Sequence, residues 1–146
     1  MNFKNAIKTC LKDKYANFSG RASRSEFWFF SLFILICYVI SFIFIAISLN
    51  FFVIIFGILV LGVVIPGFAV AVRRLHDVNK SGWFVLLPLP FDLLEGIFGR
   101  SSGDVTSLSL IFTFISLGLY IYLLVLYCTA GKKKKNIYGK PIKLKR

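Results

Sequence analysis

With 146 residues, 58% of them hydrophobic, and a mean hydropathy of +0.80, the chain is more apolar than a soluble domain, in which about half the residues are apolar. The excess sits in long uncharged runs, which excludes an ordinary water-soluble fold and points to helices that cross a membrane. The formal net charge of +12, from 18 Lys and Arg against 6 Asp and Glu, asks for a polyanionic partner. Because these cations flank apolar spans, anionic lipid headgroups suit the pattern and nucleic acid does not.

Residues 1 to 16 place Phe3, Ile7, Cys10 and Leu11 on one helical face and Lys4, Lys8 and Lys12 on an adjoining one. This predicts a short amphipathic helix on an anionic membrane surface. It is not a cleavable signal, since no small-residue cleavage site follows an apolar core. Cys10, Cys37 and Cys128 lie far apart with no CxxC pair. Cys37 and Cys128 fall inside apolar runs and read as small packing residues in membrane helices, and neither a disulfide framework nor a zinc site is expected.

The next stretch is Phe18-Ser19-Gly20-Arg21-Ala22-Ser23-Arg24-Ser25-Glu26-Phe27-Trp28. Ser23 and Glu26 have capping-box spacing, in which each side chain satisfies a free amide at a helix start. Arg21 and Arg24 are expected among lipid phosphates, and Trp28 suits the aromatic belt at a membrane boundary. Phe27–Leu49 then runs 23 residues without a charge, about 34 Å as a helix and enough to cross a hydrocarbon core of about 30 Å. Asn50 separates it from the 22 uncharged residues Phe51–Val72, so the two form an antiparallel hairpin. Pro66 is expected to kink the second helix.

Arg73-Arg74-Leu75-His76-Asp77-Val78-Asn79-Lys80-Ser81-Gly82-Trp83 follows and holds the one histidine of the chain. Arg73 and Asp77 are four apart and can meet on a helix face, as can His76 and Lys80. The favoured reading has both arginines snorkelling to lipid phosphates while Asp77 neutralises one of them. Asn79, Ser81 and Gly82 then turn the chain, and Trp83 anchors the next passage. The functional alternatives are a proton relay through His76 or an anion site on Arg73 and Arg74.

Trp83–Phe98 is short, broken by Pro88 and Pro90, and carries Asp92 and Glu95. From Trp83, a helix would put Asp92 about 14 Å deep. Buried ionisable groups are costly in a membrane, so a bend returning both acids to the outer interface is favoured over a polar path. Residues Arg100 to Asp104 read as a loop. Ser107–Ala130 is a further uncharged run of 24 residues, and Lys132–Lys135 open a polar tail.

Charge placement selects the topology. With four passages, every Lys and Arg except Arg100 lies on one side, which the positive-inside rule makes cytoplasmic. Three passages would put the tail opposite the amino terminus. The expectation is therefore an all-α polytopic protein with a single integral membrane domain. It has a cytoplasmic leader (1–26), membrane helices (27–130) and a basic cytoplasmic tail (131–146).

Two motifs together carry a resemblance. Gly20-Arg21-Ala22-Ser23-Arg24-Ser25-Glu26-Phe27-Trp28, and Arg73-Arg74-Leu75-His76-Asp77 with Ser81-Gly82-Trp83, resemble the bacterial inner-membrane family called domain of unknown function 805, which includes YhaH-like proteins. The ending Cys128-Thr129-Ala130-Gly131 with Asn136, Tyr138, Gly139 and Pro141 is similar as well. Residues 92 to 109 look like an insertion relative to short members, and four lysines replace small residues in the tail. The resemblance implies the bacterial inner membrane and assigns no catalytic residue.

No Gly-rich phosphate loop, HExxH or GxSxG motif is present, so neither an enzyme nor a bound cofactor or metal is expected. The favoured function is a non-enzymatic membrane component that assembles with lipid or protein partners, with homo-oligomers among them. The alternative is a small channel or transporter component using Asp92 and Glu95.

Overall fold

A computed structural model describes residues 1–46, 51–100 and 107–142. The Asn50 connection, residues 101–106 and residues 143–146 lie outside the described residues. Those described form five α-helices and no strand: α1 (Phe3–Lys8), α2 (Arg24–Ala46), α3 (Phe51–Asp77), α4 (Leu89–Arg100) and α5 (Ser107–Cys128). A π-helical turn, Thr9–Asp13, extends α1, and a 3-10 turn, Gly82–Leu86, precedes α4. Four segments are long and apolar enough to cross a membrane: Arg24–Phe44, Val53–Asp77, Gly82–Gly99 and Ser107–Cys128. These are the four expected passages, and their side chains largely face outward, as lipid-solvated helices require.

The amino-terminal helix begins at Asn2, whose side chain accepts from the Asn5 amide at 3.0 Å. Lys4, Lys8 and Lys12 are exposed, as the pattern predicts. Its inner face, however, rests on protein: Ala6 and Cys10 are fully buried and the Phe3 ring meets Phe29 edge-on at 6.1 Å. Cys10 joins Ala22, Phe27, Phe30, Val70 and Ala71 in the main apolar cluster. Burial and the nearby Glu26 carboxylate push the Cys10 thiol up to about 11.

The second and third helices pack antiparallel, with Gly67 close enough to Ile34 that a Cβ there would lie 3.6 Å from its Cδ1. Helix α3 runs on through Pro66 without interruption. It ends in a Schellman motif, since Lys80 N–H bonds Leu75 C=O at 2.9 Å and Asn79 N–H bonds His76 C=O at 3.1 Å. Asn79 takes the left-handed conformation (φ 63°) that this cap needs. The third passage is indeed broken. Pro88 and Pro90 sit at the start of α4, where a missing amide costs no helix bond. Arg100, expected in a loop, is the last residue of α4.

Candidate functional site

The end of the bundle where α2 begins and α3 and α5 finish is held by a buried knot of charges. It grows from two local structures. In the first, Ser23 caps α2 by accepting from the Glu26 amide at 3.1 Å. Only this half of the predicted capping box forms, because the Glu26 carboxylate turns away and accepts from Arg73 Nη2 at 3.0 Å. In the second, the last turn of α3 projects Arg73, Arg74 and Asp77 inward.

Asp77 is the hub. Its Oδ1 lies 2.7 Å from both Nε and Nη2 of Arg21, and its Oδ2 accepts from Arg74 Nη1 at 2.6 Å. Its backbone carbonyl accepts from the Lys132 amide at 3.0 Å. Arg21 also donates to the carbonyls of Lys132 and Lys134, the latter at 3.1 Å. Arg74 donates to the carbonyls of Tyr127 (3.1 Å) and Thr129, so a cation closes the carbonyl end of α5. A backbone bond from Ala22 N–H to Arg73 C=O (2.9 Å) ties the leader to α3 directly.

These contacts correct the reading of the arginines as lipid-facing. Arg73 and Arg74 are fully buried and Arg21 is 6% exposed, so none of the three snorkels, and Arg73 and Arg74 offer no open anion site. Glu26 is buried too, at 5%. Asp77 pairs with Arg74 and Arg21, while Arg73 finds Glu26. Three buried guanidiniums thus face two buried carboxylates. The Nε and Nη1 of Arg73 are buried without a partner among the described residues. Leaving one member of such a pair unpaired costs about 3–5 kcal/mol, so the knot is a strong constraint on how the leader, α3 and the tail meet.

His76 points into the same junction. Its Nδ1 donates to the Gly20 carbonyl at 3.1 Å, and its ring stacks on Tyr138 at 3.8 Å and 4°. Asn136 Nδ2 donates to the His76 carbonyl at 2.8 Å. Asn136 and Gly139 exchange both backbone bonds, with Gly139 at φ 130°. The tail up to Ile142 is therefore a strap folded back across the end of α3. Gly131 is part of it: a Cβ there would fall within 2.6 Å of the Asp77 carboxyl carbon.

Of the remaining predicted residues, Arg24, Trp28 and Trp83 are exposed, Trp83 at 78%. Ser81 caps the 3-10 turn by accepting from the Trp83 amide, and Gly82 leaves room for Val72. Asp92 accepts from Ser116 Oγ and, at 2.6 Å, from Tyr120 Oη. Those hydroxyls belong to the middle of α5. Glu95 follows one turn later on α4, with its Oε1 beside Gly99. The roles of Tyr138, Asn136 and Gly131 have no periodic signal in the sequence; only their place in the family-like ending marks them.

The whole knot, from Arg21 to the tail, falls within residues 15–140, which match the family described as "Protein of unknown function (DUF805)". The chain belongs to this family. Among its relatives, the inner membrane protein YhaI of Escherichia coli K12 is 31% identical over 134 residues, covering 86% of this chain and 85% of the relative. The inner membrane protein YhaH of the same organism is 36% identical over 88 residues, covering 53% and 68%. No solved structure matches the chain. As a DUF805 member with four membrane-length helices, it is an integral protein of the bacterial inner membrane.

Proposed function

We propose that the protein is a non-enzymatic membrane component that holds anionic phospholipid at the basic end of its bundle, with both termini cytoplasmic. One observation carries this reading. A cleft of about 410 Å³ opens beside the knot and is lined by Ser23, Arg24, Ser25, Lys132 and Lys133 together with Arg21. It lies where α2 begins and α5 has just ended, the level at which headgroup phosphates meet a spanning helix. Arg21 is already engaged with Asp77 and forms a wall. Arg24, Lys132 and Lys133 are exposed and supply the charge. The positive-inside rule supports the cytoplasmic orientation, and a cytoplasmic leaflet rich in anionic lipid is the surface such a cleft meets.

Native mass spectrometry of the protein released from nanodiscs tests the reading. Phosphatidylglycerol is expected to stay bound where phosphatidylcholine is lost, and the combined change Arg24→Ala, Lys132→Ala, Lys133→Ala is expected to abolish that preference. Equal retention of both lipids, or a preference untouched by the three changes, contradicts it. A second reading, a component of a polar path through the membrane, draws on the depth of Asp92 and requires more than one copy, since four such helices enclose no pore by themselves.

A further inference from the structure

Asp92 stands in an unusual place for an acid. Its two hydroxyl partners fix its level against α5. Ser116 lies roughly 14 Å along the helix from Ser107 and roughly 18 Å from Cys128, and Tyr120 lies one turn further on. A helix of 22 residues is long enough to cross the hydrocarbon core, so this register holds the carboxyl group near mid-depth.

A carboxylate there must be neutralised, paired or wetted. Apart from Arg100, the last residue of α4 and two turns beyond Asp92, the neighbouring elements offer no cation: residues 81–99 and 107–131 contain no Lys, Arg or His. The ionisable residues of α3 are Arg73, Arg74, His76 and Asp77, all at the far basic end. The other ionisable groups on α4 and α5 near the site are Glu95, one turn along α4, and Tyr120 itself, with Tyr122 and Tyr127 further toward the basic end. A metal ion is poorly served, since one carboxylate and two hydroxyls fall short of the six or more oxygens that a hard cation takes.

We propose that Asp92, Ser116 and Tyr120 form a proton-binding site within the membrane, at which Asp92 alternates between carboxylic acid and carboxylate. The hydroxyls suit both states. When Asp92 is ionised, Ser116 Oγ–H and Tyr120 Oη–H donate to its two oxygens, as the structure shows. When it is protonated, its O–H donates to the Ser116 oxygen while Tyr120 continues to donate to the other carboxyl oxygen. The O–H bond of the acid breaks on release and the proton passes to water; uptake is the reverse. Ser116 is almost wholly buried, whereas Tyr120 is half exposed, so the buried hydroxyl fixes the acid and the outer one borders its route of exchange.

A hydrophobic carbodiimide, which adds to a protonated carboxyl group, tests the proposal on the full chain in lipid nanodiscs. Peptide mass spectrometry is expected to find Asp92 modified, with labelling that falls about tenfold per pH unit once the pH passes the midpoint of its titration. Asp92→Asn removes the label without disturbing the thermal transition. Ser116→Ala and Tyr120→Phe each take a donor from the ionised form, so they move the midpoint to higher pH, a readout that packing alone would leave in place. Labelling absent at every pH, or unchanged from pH 5 to 9, overturns the proposal. So does labelling by a water-soluble carbodiimide at an equal rate, which marks a surface acid. Protection by sodium chloride at constant ionic strength overturns it in favour of a cation site.

Discussion

The Tyr15 hydroxyl donates to the Gly62 carbonyl at 2.8 Å, and that carbonyl is the one Pro66 leaves without a helical partner. A proline has no amide hydrogen to return four residues back, and inside a membrane span no water stands ready to replace it. A residue of the leader therefore completes the backbone of α3, which accounts for a helix that runs unbroken through its proline.

Tyr15→Phe is expected to lower stability by about 1–2 kcal/mol, read as a shift in the unfolding midpoint in mixed micelles. In a Pro66→Ala background the loss should shrink toward zero, because the new amide bonds Gly62 itself. Equal losses in both backgrounds would show that the hydroxyl does something else.

Close packing at two glycines makes a graded prediction. A methyl group at Gly131 meets the Asp77 carboxylate, which two arginines hold in place. A methyl group at Gly82 comes within 2.5 Å of Val72 Cγ1, the end of a side chain that can turn. Gly131→Ala should cost about 2 kcal/mol or more and Gly82→Ala about 1 kcal/mol. Thermal midpoints of the two variants check the order, and the reverse order would contradict the placement of the tail.

The Cys10 thiol, raised to about 11 by burial and by Glu26, stays protonated near neutral pH. Only the thiolate reacts with maleimides, so its labelling should climb about tenfold per pH unit from neutrality upward. At pH 8 it should run roughly a hundredfold slower than an ordinary exposed thiol. Cys128 is exposed and supplies the internal reference. Comparable rates at the two cysteines would mean that α1 does not stay packed on α2.

Reporter fusions at the carboxyl terminus and at Ser102 check the four-passage topology. The proposed orientation puts the first inside and the second outside. An external terminus or a cytoplasmic Ser102 would contradict it.

Much of the architecture was legible because the membrane imposes a simple length rule. Runs free of charge mark α2, α3 and α5, and the distribution of lysines and arginines favours a fourth passage despite Pro88 and Pro90. The motifs at Arg21–Glu26 and Arg73–Asp77 also marked the site. What stayed hidden was who pairs with whom. Arg73 and Arg74 both stand at helical spacing from Asp77, and the choice falls to Arg74 only because α2 brings Glu26 against Arg73. Nothing in local spacing reports a crossing between residues 47 positions apart. The strap was hidden for a related reason, since Asn136 and Tyr138 act by single contacts with His76 and leave no periodic pattern. The pairing of Asp92 with Ser116 and Tyr120 depends on the register of α4 against α5, which hydropathy does not encode.

Opposite charges buried together, and not contacts with lipid, hold the leader against α3. A double-mutant cycle on Glu26 and Arg73 tests it most directly, with unfolding free energies measured for Glu26→Leu, Arg73→Leu and the combined variant. Each single change strands a buried charge and should cost about 3–5 kcal/mol, while removing both should cost far less than the sum. Additive losses would contradict the pairing and return Arg73 to the lipid phosphates.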